Sequence, residues 1–422
     1  MQNLTQKIMI AMAAGAVLGV VISLFLADVW IINDYLINGL FHVVGAIFIA
    51  LLKMLVVPLV FVSLVGGVTS LGDLTALGRM SIKAISLYLG TTMAAISIAL
   101  SLAVTVGPGS GFDVGSTTAE FTGREAPPLA DVIINMVPSN PIAAAASGNM
   151  LQIIVFALLF GIAITMSGDR GKHVVNFFND LDVVIMKMVE IVMRLAPYGV
   201  FALICRTFAT QGIELIVPLL SYFLTLTCAL GLHGLIVYPT LLKTFANLNP
   251  YMFLRKMRDP ATFAFSTASS AATIPVTLRT AEAKMGVDNA IASFTVPLGA
   301  TINMDGTAIM QGVATVFIAN VYGIDLAITD YLMVILTATL ASIGTAAVPG
   351  VGLIMLTMVL NQVGLPVEGI ALIIGVDRIL DMMRTACNVT GDCTVTCIIA
   401  KSEGALDLET FNDRNAGAIE SD

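Results

Sequence analysis

The chain has 422 residues, 57% of them hydrophobic and only 11% charged, with a mean hydropathy of +0.94 and a formal net charge of −8. A soluble domain has about a quarter of its residues charged, so this much apolar side chain needs lipid as its solvent. That excludes a cytosolic enzyme, a secreted disulfide domain and, with 20 Lys and Arg against 28 Asp and Glu, a nucleic-acid binder.

Uncharged or nearly uncharged stretches recur at about 8–27, 35–71, 84–112, 132–168, 183–212, 215–242, 261–278, 289–322, 331–367 and 369–400. A membrane-spanning helix needs about 20 apolar residues, and several of these stretches exceed that, so some helices must be tilted or broken. The first stretch follows a single Lys7 and outruns the 7–15 residues or so of a signal-peptide core; it reads as a retained span. A polar insertion at 113–131 carries Asp113, Glu120, Glu125 and Asp131 against Arg124. Lys and Arg concentrate on cytoplasmic loops. With the N-terminus inside, Arg79 and Lys83, Arg170 and Lys172, and then Lys243, Arg255, Lys256 and Arg258 all fall inside, and the acidic insertion falls outside. The five cysteines (Cys205, Cys228, Cys387, Cys393, Cys397) lie in apolar or semi-apolar stretches and read as buried thiols. The three histidines (His42, His173, His233) make no metal-ligand spacing.

Residues 261–278 break the alternation. They are bounded by Arg255, Lys256 and Arg258 on one side and by Arg279 and Lys284 on the other, so both ends belong in the cytoplasm. The middle, FSTASSAATIP at 265–275, is too polar for a lipid-facing centre, which predicts a re-entrant hairpin with its tip at 267–271. Residues 331–367 are the mirror case, uncharged, flanked by Asp325, Asp330 and Glu368, with a Gly- and Pro-rich centre, SIGTAAVPGVG, at 342–352. Each arm is too short to cross, so a second hairpin enters from outside with its tip at 345–350. Irregular backbone at that depth is tolerated only where protein buries it or a polar cavity adjoins it. Two such segments of opposite sidedness mark a transporter site near the midplane.

A full span with intramembrane acids follows each hairpin: TVPLGATINMDGTAIMQG at 295–312, with Asp305, and GVDRILDMMRTACNVTGDCT at 375–394. On a helix of 100° per residue, Asp377, Asp381, Arg384, Thr385, Asn388 and Asp392 share an arc of roughly 100°. Charges at membrane depth are costly and face a bundle interior or a water-filled cavity. An Asp381–Arg384 ion pair at i,i+3 accounts for two of these residues but not for the stripe. The planar guanidinium of Arg384 suits a ligand carboxylate, Asp381 suits an ammonium, and Thr385, Asn388 and Thr307 suit the remaining polar atoms. Hairpin tips can aim backbone N–H groups at an anion. Together these describe aspartate or glutamate as the ligand. Asp392 with Gly299, Asn303 and Asn388 forms one candidate oxygen cage for an alkali cation; Asp305 with Asn303, Thr91 and Thr92 forms another, although no spacing brings Thr91 and Thr92 to Asp305.

The Ser-rich first hairpin, NMDGT at 303–307, GTAAVPG at 344–350 and DRILDMMRTACNVTGD at 377–392, in that order, resemble the dicarboxylate/amino acid:cation symporter family, the glutamate transporters. The resemblance covers essentially the whole chain. It implies an all-α polytopic membrane protein of eight transmembrane helices plus two re-entrant helical hairpins with inverted repeats, assembled as a homotrimer; the chain's compactness and short loops point to a prokaryotic inner membrane, both termini cytoplasmic. A scaffold part at about 7–75 and 130–212 would hold the trimer. A transport part at about 80–112 and 214–403 would carry substrate by an elevator movement, ahead of a short acidic tail at 404–422.

The resemblance places Arg384 on the substrate's side-chain carboxylate and Asp381, helped by Thr385, on its amino group. It places Asn388, Thr307, Ser269 and Ser270 at the α-carboxylate, with Val348 and Gly352 completing the substrate set. Co-transported sodium would be held at Gly299, Asn303, Asn388 and Asp392; at Thr301, Met304, Ser342, Ile343 and Thr345; and at Tyr88, Thr91, Thr92, Asn303 and Asp305. The chain departs from the pattern at Ala268 and Met382, where relatives often carry an extra Arg, and at Ala271, where a third Ser is common; Arg378 is the nearest replacement for that charge. A proton-coupled or C4-dicarboxylate symporter of the same fold is the competing expectation. Asp392 argues against the proton and Asp381 for an amine-bearing substrate.

Overall fold

A computed structural model of the chain describes residues 4–26, 29–69, 78–112, 134, 137–342, 345 and 349–417. The described residues are almost entirely helical. Helix α1 spans Leu4–Phe25; a π-helical stretch, Ile32–Phe41, runs into α2, His42–Thr69; α3 spans Gly78–Val106. Then come α4 (Pro141–Ser147), α5 (Met150–Met166) and α6 (Lys172–Gln211). Helices α7 (Ile216–Leu232) and α8 (Tyr238–Ala246) are joined through a π-helical stretch, His233–Val237. Pro239 has no N–H for the carbonyl four residues back and its ring crowds that carbonyl, which widens the turn there.

Ile32–Gly66, Arg79–Val106 and Ile216–Ala246 are each long and apolar enough to cross a membrane. Helix α6 adds a bent fourth candidate, with 42° between Gly168–Val192 and Arg194–Thr210. Its cause is Pro197, which leaves the carbonyl of Met193 without its helical partner. Ile10–Phe25, Gln152–Met166, Ile328–Ser342 and Val351–Gln362 are apolar but shorter.

After the capped helix α9 (Pro250–Lys256) come α10 (Arg258–Thr267) and α11 (Ser270–Arg279), packed on each other. Between them Ala268 adopts a left-handed φ of 49°, and Ser269 caps α11 by accepting the Ala272 N–H at 3.2 Å. The turn thus lies inside the predicted tip. Helices α12 (Asn289–Ile302) and α13 (Asp305–Val321) were expected to form one span, but the helix breaks at Asn303 and Met304, both outside helical φ and ψ. Helices α14 (Ile328–Ser342) and α15 (Val351–Gln362) also pack on each other, α15 starting after a left-handed Gly350. Residues 346–348 of the predicted 345–350 tip lie outside the described residues.

The longest described helix of the second half is α16, 33 residues from Ile370 to Ser402. It contains no proline, and it is enclosed by α6, α7, α8, α10, α12 and α13. Helices α1, α2, α5 and α6 pack together into one group, and α14 and α15 lean on α5 and α2 respectively. The last helix, α17 (Leu408–Asn412), is tied back by the Val287–Leu406 bridge and by the Asp407 N–H on the Gly286 carbonyl at 2.8 Å. One expectation fails: Cys228 on α7 is exposed and the other four thiols are buried. In a membrane protein an apolar stretch does not imply an inward face, since lipid covers the outside as readily as protein does.

Candidate substrate and ion site

The polar stripe of α16 holds its ionic groups at i, i+4 and i+7, so they lie above one another on one helix face. The Arg384 guanidinium is 1% exposed. Its Nη1 donates to Asp377 Oδ1 at 2.8 Å and its Nη2 to Asp381 Oδ1 at 2.9 Å. Asp381 Oδ2 accepts the Gly350 backbone N–H at 3.1 Å and faces Arg378 Nη1 at 3.5 Å. Two guanidiniums and two carboxylates therefore form a neutral group. Breaking a buried pair by removing one partner costs about 3–5 kcal/mol, so both acids are needed to hold Arg384 at this depth. Its Nε remains buried without an acceptor.

The start of α15 closes on this group. A Cβ added at Gly352 would sit 3.3 Å from Arg384 Nη2, so the glycine lets the helix approach the guanidinium. A cavity of about 40 Å³ lies beside it, bounded by Asp377, Arg378, Asp381 and Gly350 on one side and by Phe48 and Val200 on the other. That is room for about one water, so an amino acid reaches Arg384 only after α15 or the facing helices move.

The other expected substrate residues are placed less directly. The Thr385 hydroxyl donates to the Asp381 carbonyl at 2.8 Å. Asn388 Oδ1 accepts the Gly306 N–H at 2.7 Å, and its Nδ2 points at Met304 Sδ, 3.4 Å away. Asn388 thus holds the start of α13. Thr307 and Ser270 are buried, Ser269 serves as the α11 cap, and Val348 lies outside the described residues.

The break between α12 and α13 brings together the residues expected for the first oxygen cage. Asn303 Nδ2 donates to Asp392 Oδ1 at 2.9 Å and to the Asn388 carbonyl at 3.0 Å, leaving Asn303 Oδ1 buried and unpartnered. A Cβ at Gly299 would lie 2.6 Å from both Asp392 Oδ1 and the Tyr88 hydroxyl oxygen. Gly299, Asn303, Asn388 and Asp392 therefore converge, with Tyr88 beside them donating to the Thr295 carbonyl at 2.9 Å. A carboxylate, amide oxygens and helix-end carbonyls are hard ligands suited to an alkali cation.

Asp305 is occupied differently from expectation. Thr92 donates to its Oδ1 at 2.6 Å, as the sequence suggested, while the Thr91 hydroxyl turns to the Tyr88 carbonyl at 3.0 Å. Asp305 Oδ2 meets the Tyr238 hydroxyl at 2.7 Å and His233 Nε2 at 2.9 Å. Both Asp305 and His233 are fully buried. Sequence reasoning gave His233 and Tyr238 no role; the signal available was two polar rings within an apolar stretch, beside a proline that distorts the helix. Asp377 was seen in the stripe but left without a function. Of the remaining expected cation set, Thr301, Ser342 and Thr345 donate their hydroxyls to the carbonyls of Leu298, Thr339 and Ala341 at 2.9, 2.7 and 2.8 Å, Met304 lies in the break between α12 and α13, and Ile343 lies outside the described residues.

A buried cation bracketed by acids, one helical turn from an oxygen cage at a broken helix, is the chemistry of an ion-coupled carrier for a charged solute, and comparison with known proteins agrees. A proton/glutamate-aspartate symporter of Escherichia coli (strain K12) is 36% identical over 416 residues, covering 96% of this chain and 94% of that protein. A proton/sodium-glutamate symport protein of Bacillus caldotenax is 36% identical over 377 residues, covering 87% and 88%. The excitatory amino acid transporter 3 of Mus musculus is 35% identical over 411 residues, covering 85% and 78%. The family model described as the sodium:dicarboxylate symporter family matches residues 4–402, nearly the whole chain including α10–α11, α14–α15 and the α16 stripe, and the protein therefore belongs to that family of membrane transporters.

Proposed function

We propose that the protein is a secondary active symporter that moves L-aspartate or L-glutamate into the cell together with sodium. The observation that carries this reading is the Arg384 guanidinium, buried between Asp377 and Asp381 with the α15 start against it. An acidic substrate's side-chain carboxylate would take one of those acids' places on Arg384, and the released Asp381 would then accept the substrate ammonium. Because Asp381 also holds the Gly350 N–H, that exchange couples occupancy of the site to the position of the second hairpin. Sodium would bind at the Gly299, Asn303, Asn388 and Asp392 cage; Asn388 belongs to the wall between cage and substrate, so filling one orders the other.

The reading extends to the assembly expected of the family: eight spans and two re-entrant hairpins per subunit, a homotrimer, an inner-membrane location and cytoplasmic termini. The transport part (about 80–112 and 214–403) would slide against the scaffold part (about 7–75 and 130–212). The close packing of α1, α2, α5 and α6 supports a separate scaffold. Uptake of radiolabelled aspartate and glutamate into proteoliposomes, under an imposed sodium or proton gradient, is the test. Uptake should follow the sodium gradient; uptake that persists in choline and follows pH instead replaces sodium with the proton. One contact favours that second reading, His233 Nε2 at 2.9 Å from Asp305 Oδ2, an imidazole against a buried carboxylate. The coupling ions in the relatives' names differ in the same way.

A further inference from the structure

The end of the α10–α11 pair remote from its turn carries a second charged site, away from the Arg384 group. Arg255, Arg258, Asp259, Thr262, Lys284 and Arg414 line a cavity of about 690 Å³. Its one carboxylate, Asp259, is taken by Lys284. Lys256 is spent as well: its buried ammonium donates to the carbonyls of Lys284 at 2.5 Å, Thr410 at 2.7 Å and Phe411 at 2.8 Å. Those bonds fasten the C-terminal segment to the base of the hairpin, which brings Arg414 to the cavity wall. Among the described residues Arg255, Arg258 and Arg414 have no ion pair and no side-chain hydrogen bond. Three unneutralised guanidiniums thus share one cavity in a chain whose net charge is −8.

We propose that this cavity binds a phosphoryl-bearing anion. The guanidinium fork matches two phosphate oxygens at once, and three forks around one space suit a doubly charged or multidentate group. The volume exceeds what a single inorganic phosphate fills, and Phe263, 41% exposed on the same wall, offers an apolar surface beside the charges. A phospholipid head group combines those features, and basic pockets beside membrane helices on the Lys- and Arg-rich face recognise such groups. A soluble pyrophosphate-type anion shares the chemistry without the apolar part. Asp413, next to Arg414, does not line the cavity.

The test uses the purified full-length protein and the triple variant R255Q/R258Q/R414Q, all three positions being exposed, with monodisperse elution as the check on folding. One arm measures phosphatidylglycerol retained in mixed micelles against phosphatidylcholine by native mass spectrometry; the other measures pyrophosphate affinity in detergent by thermophoresis. At least one anion should bind the parent protein about tenfold or more tightly than the variant, about 1.4 kcal/mol or more, and more weakly as salt rises. Preference for the lipid alone assigns a head group, and pyrophosphate binding alone assigns a soluble anion. Equal binding by parent and variant in both arms overturns the proposal. So does an equal loss in K172Q/K187Q/R194Q, which removes the same charge from α6.

Discussion

At the scale of single residues the α16 stripe works because its partners are fixed by helical spacing: Asp377, Asp381 and Arg384 meet whatever the rest of the chain does. On the proposed reading, Arg384→Cys removes the partner of the substrate's side-chain carboxylate, so acidic amino acids should lose uptake while small neutral ones gain it. Unchanged acidic preference in that variant would remove Arg384 from its assigned role. The substitution also takes from the buried Asp377 the cation it pairs with, a cost of about 3–5 kcal/mol, so the thermal midpoint must be measured alongside uptake. The glycines report packing without charge. A Cβ at Gly306 would stand 2.6 Å from the Arg384 carbonyl oxygen, a backbone atom with little freedom to retreat. Gly306→Ala should therefore destabilise by about 1–3 kcal/mol. Gly90→Ala, in the α3 interior with nothing within 4 Å, should be neutral or stabilising by up to about 1 kcal/mol. Similar melting temperatures for the two would contradict the close α13–α16 approach.

At the scale of elements the consequential features are interruptions. The α12–α13 break frees Asn303 to reach Asp392; the π-helical stretch at His233 carries that ring to Asp305; the bend of α6 follows Pro197. Pro197 and Pro239 accompany two of these interruptions, whereas the Asn303–Met304 break has no proline at it and is stabilised from outside, by Asn388 on the Gly306 N–H. Ends of elements are also held by charge. Lys83 Nζ reaches Glu403 Oε1 at 2.6 Å and Arg79 pairs with the other oxygen, joining the start of α3 to the end of α16. Hydrogen bonds from Lys83 and then Arg79 hold the Glu403 carboxyl below its ordinary range. Its contribution to stability is therefore complete above the unfolded value, about 4.3, and is lost as pH falls through the lower folded value. Glu403→Gln should lower the melting temperature modestly near neutrality, where the clamp is intact, and converge on the parent as pH falls below about 4.3, which flattens the acid limb. An acid limb unaltered in the variant would show that the clamp contributes nothing.

At the scale of the whole molecule the proposed elevator movement predicts that α1, α2, α5 and α6 keep their mutual distances while the hairpins and α16 shift against them. Spin labels at Val183 on α6 and Ala290 on α12, both exposed, should change their separation when sodium and aspartate are added together; a distance distribution indifferent to both would leave the two groups one rigid body. The membrane class, the interruption of both apolar segments and the α16 stripe were legible in the linear chain, because each is local: a count of apolar residues against bilayer thickness, charges bracketing a polar centre, and polar groups repeating at helical spacing. The resemblance to the symporters likewise rests on short contiguous motifs. What no spacing conveyed was which distant atoms complete each buried group. Thr92, His233 and Tyr238 reach Asp305 from 213, 72 and 67 positions away, and Asn303 reaches Asp392 across 89. A buried carboxylate accepts any donor that packing brings near it, so those partners were settled only when α3, α7, α8 and α13 closed around α16.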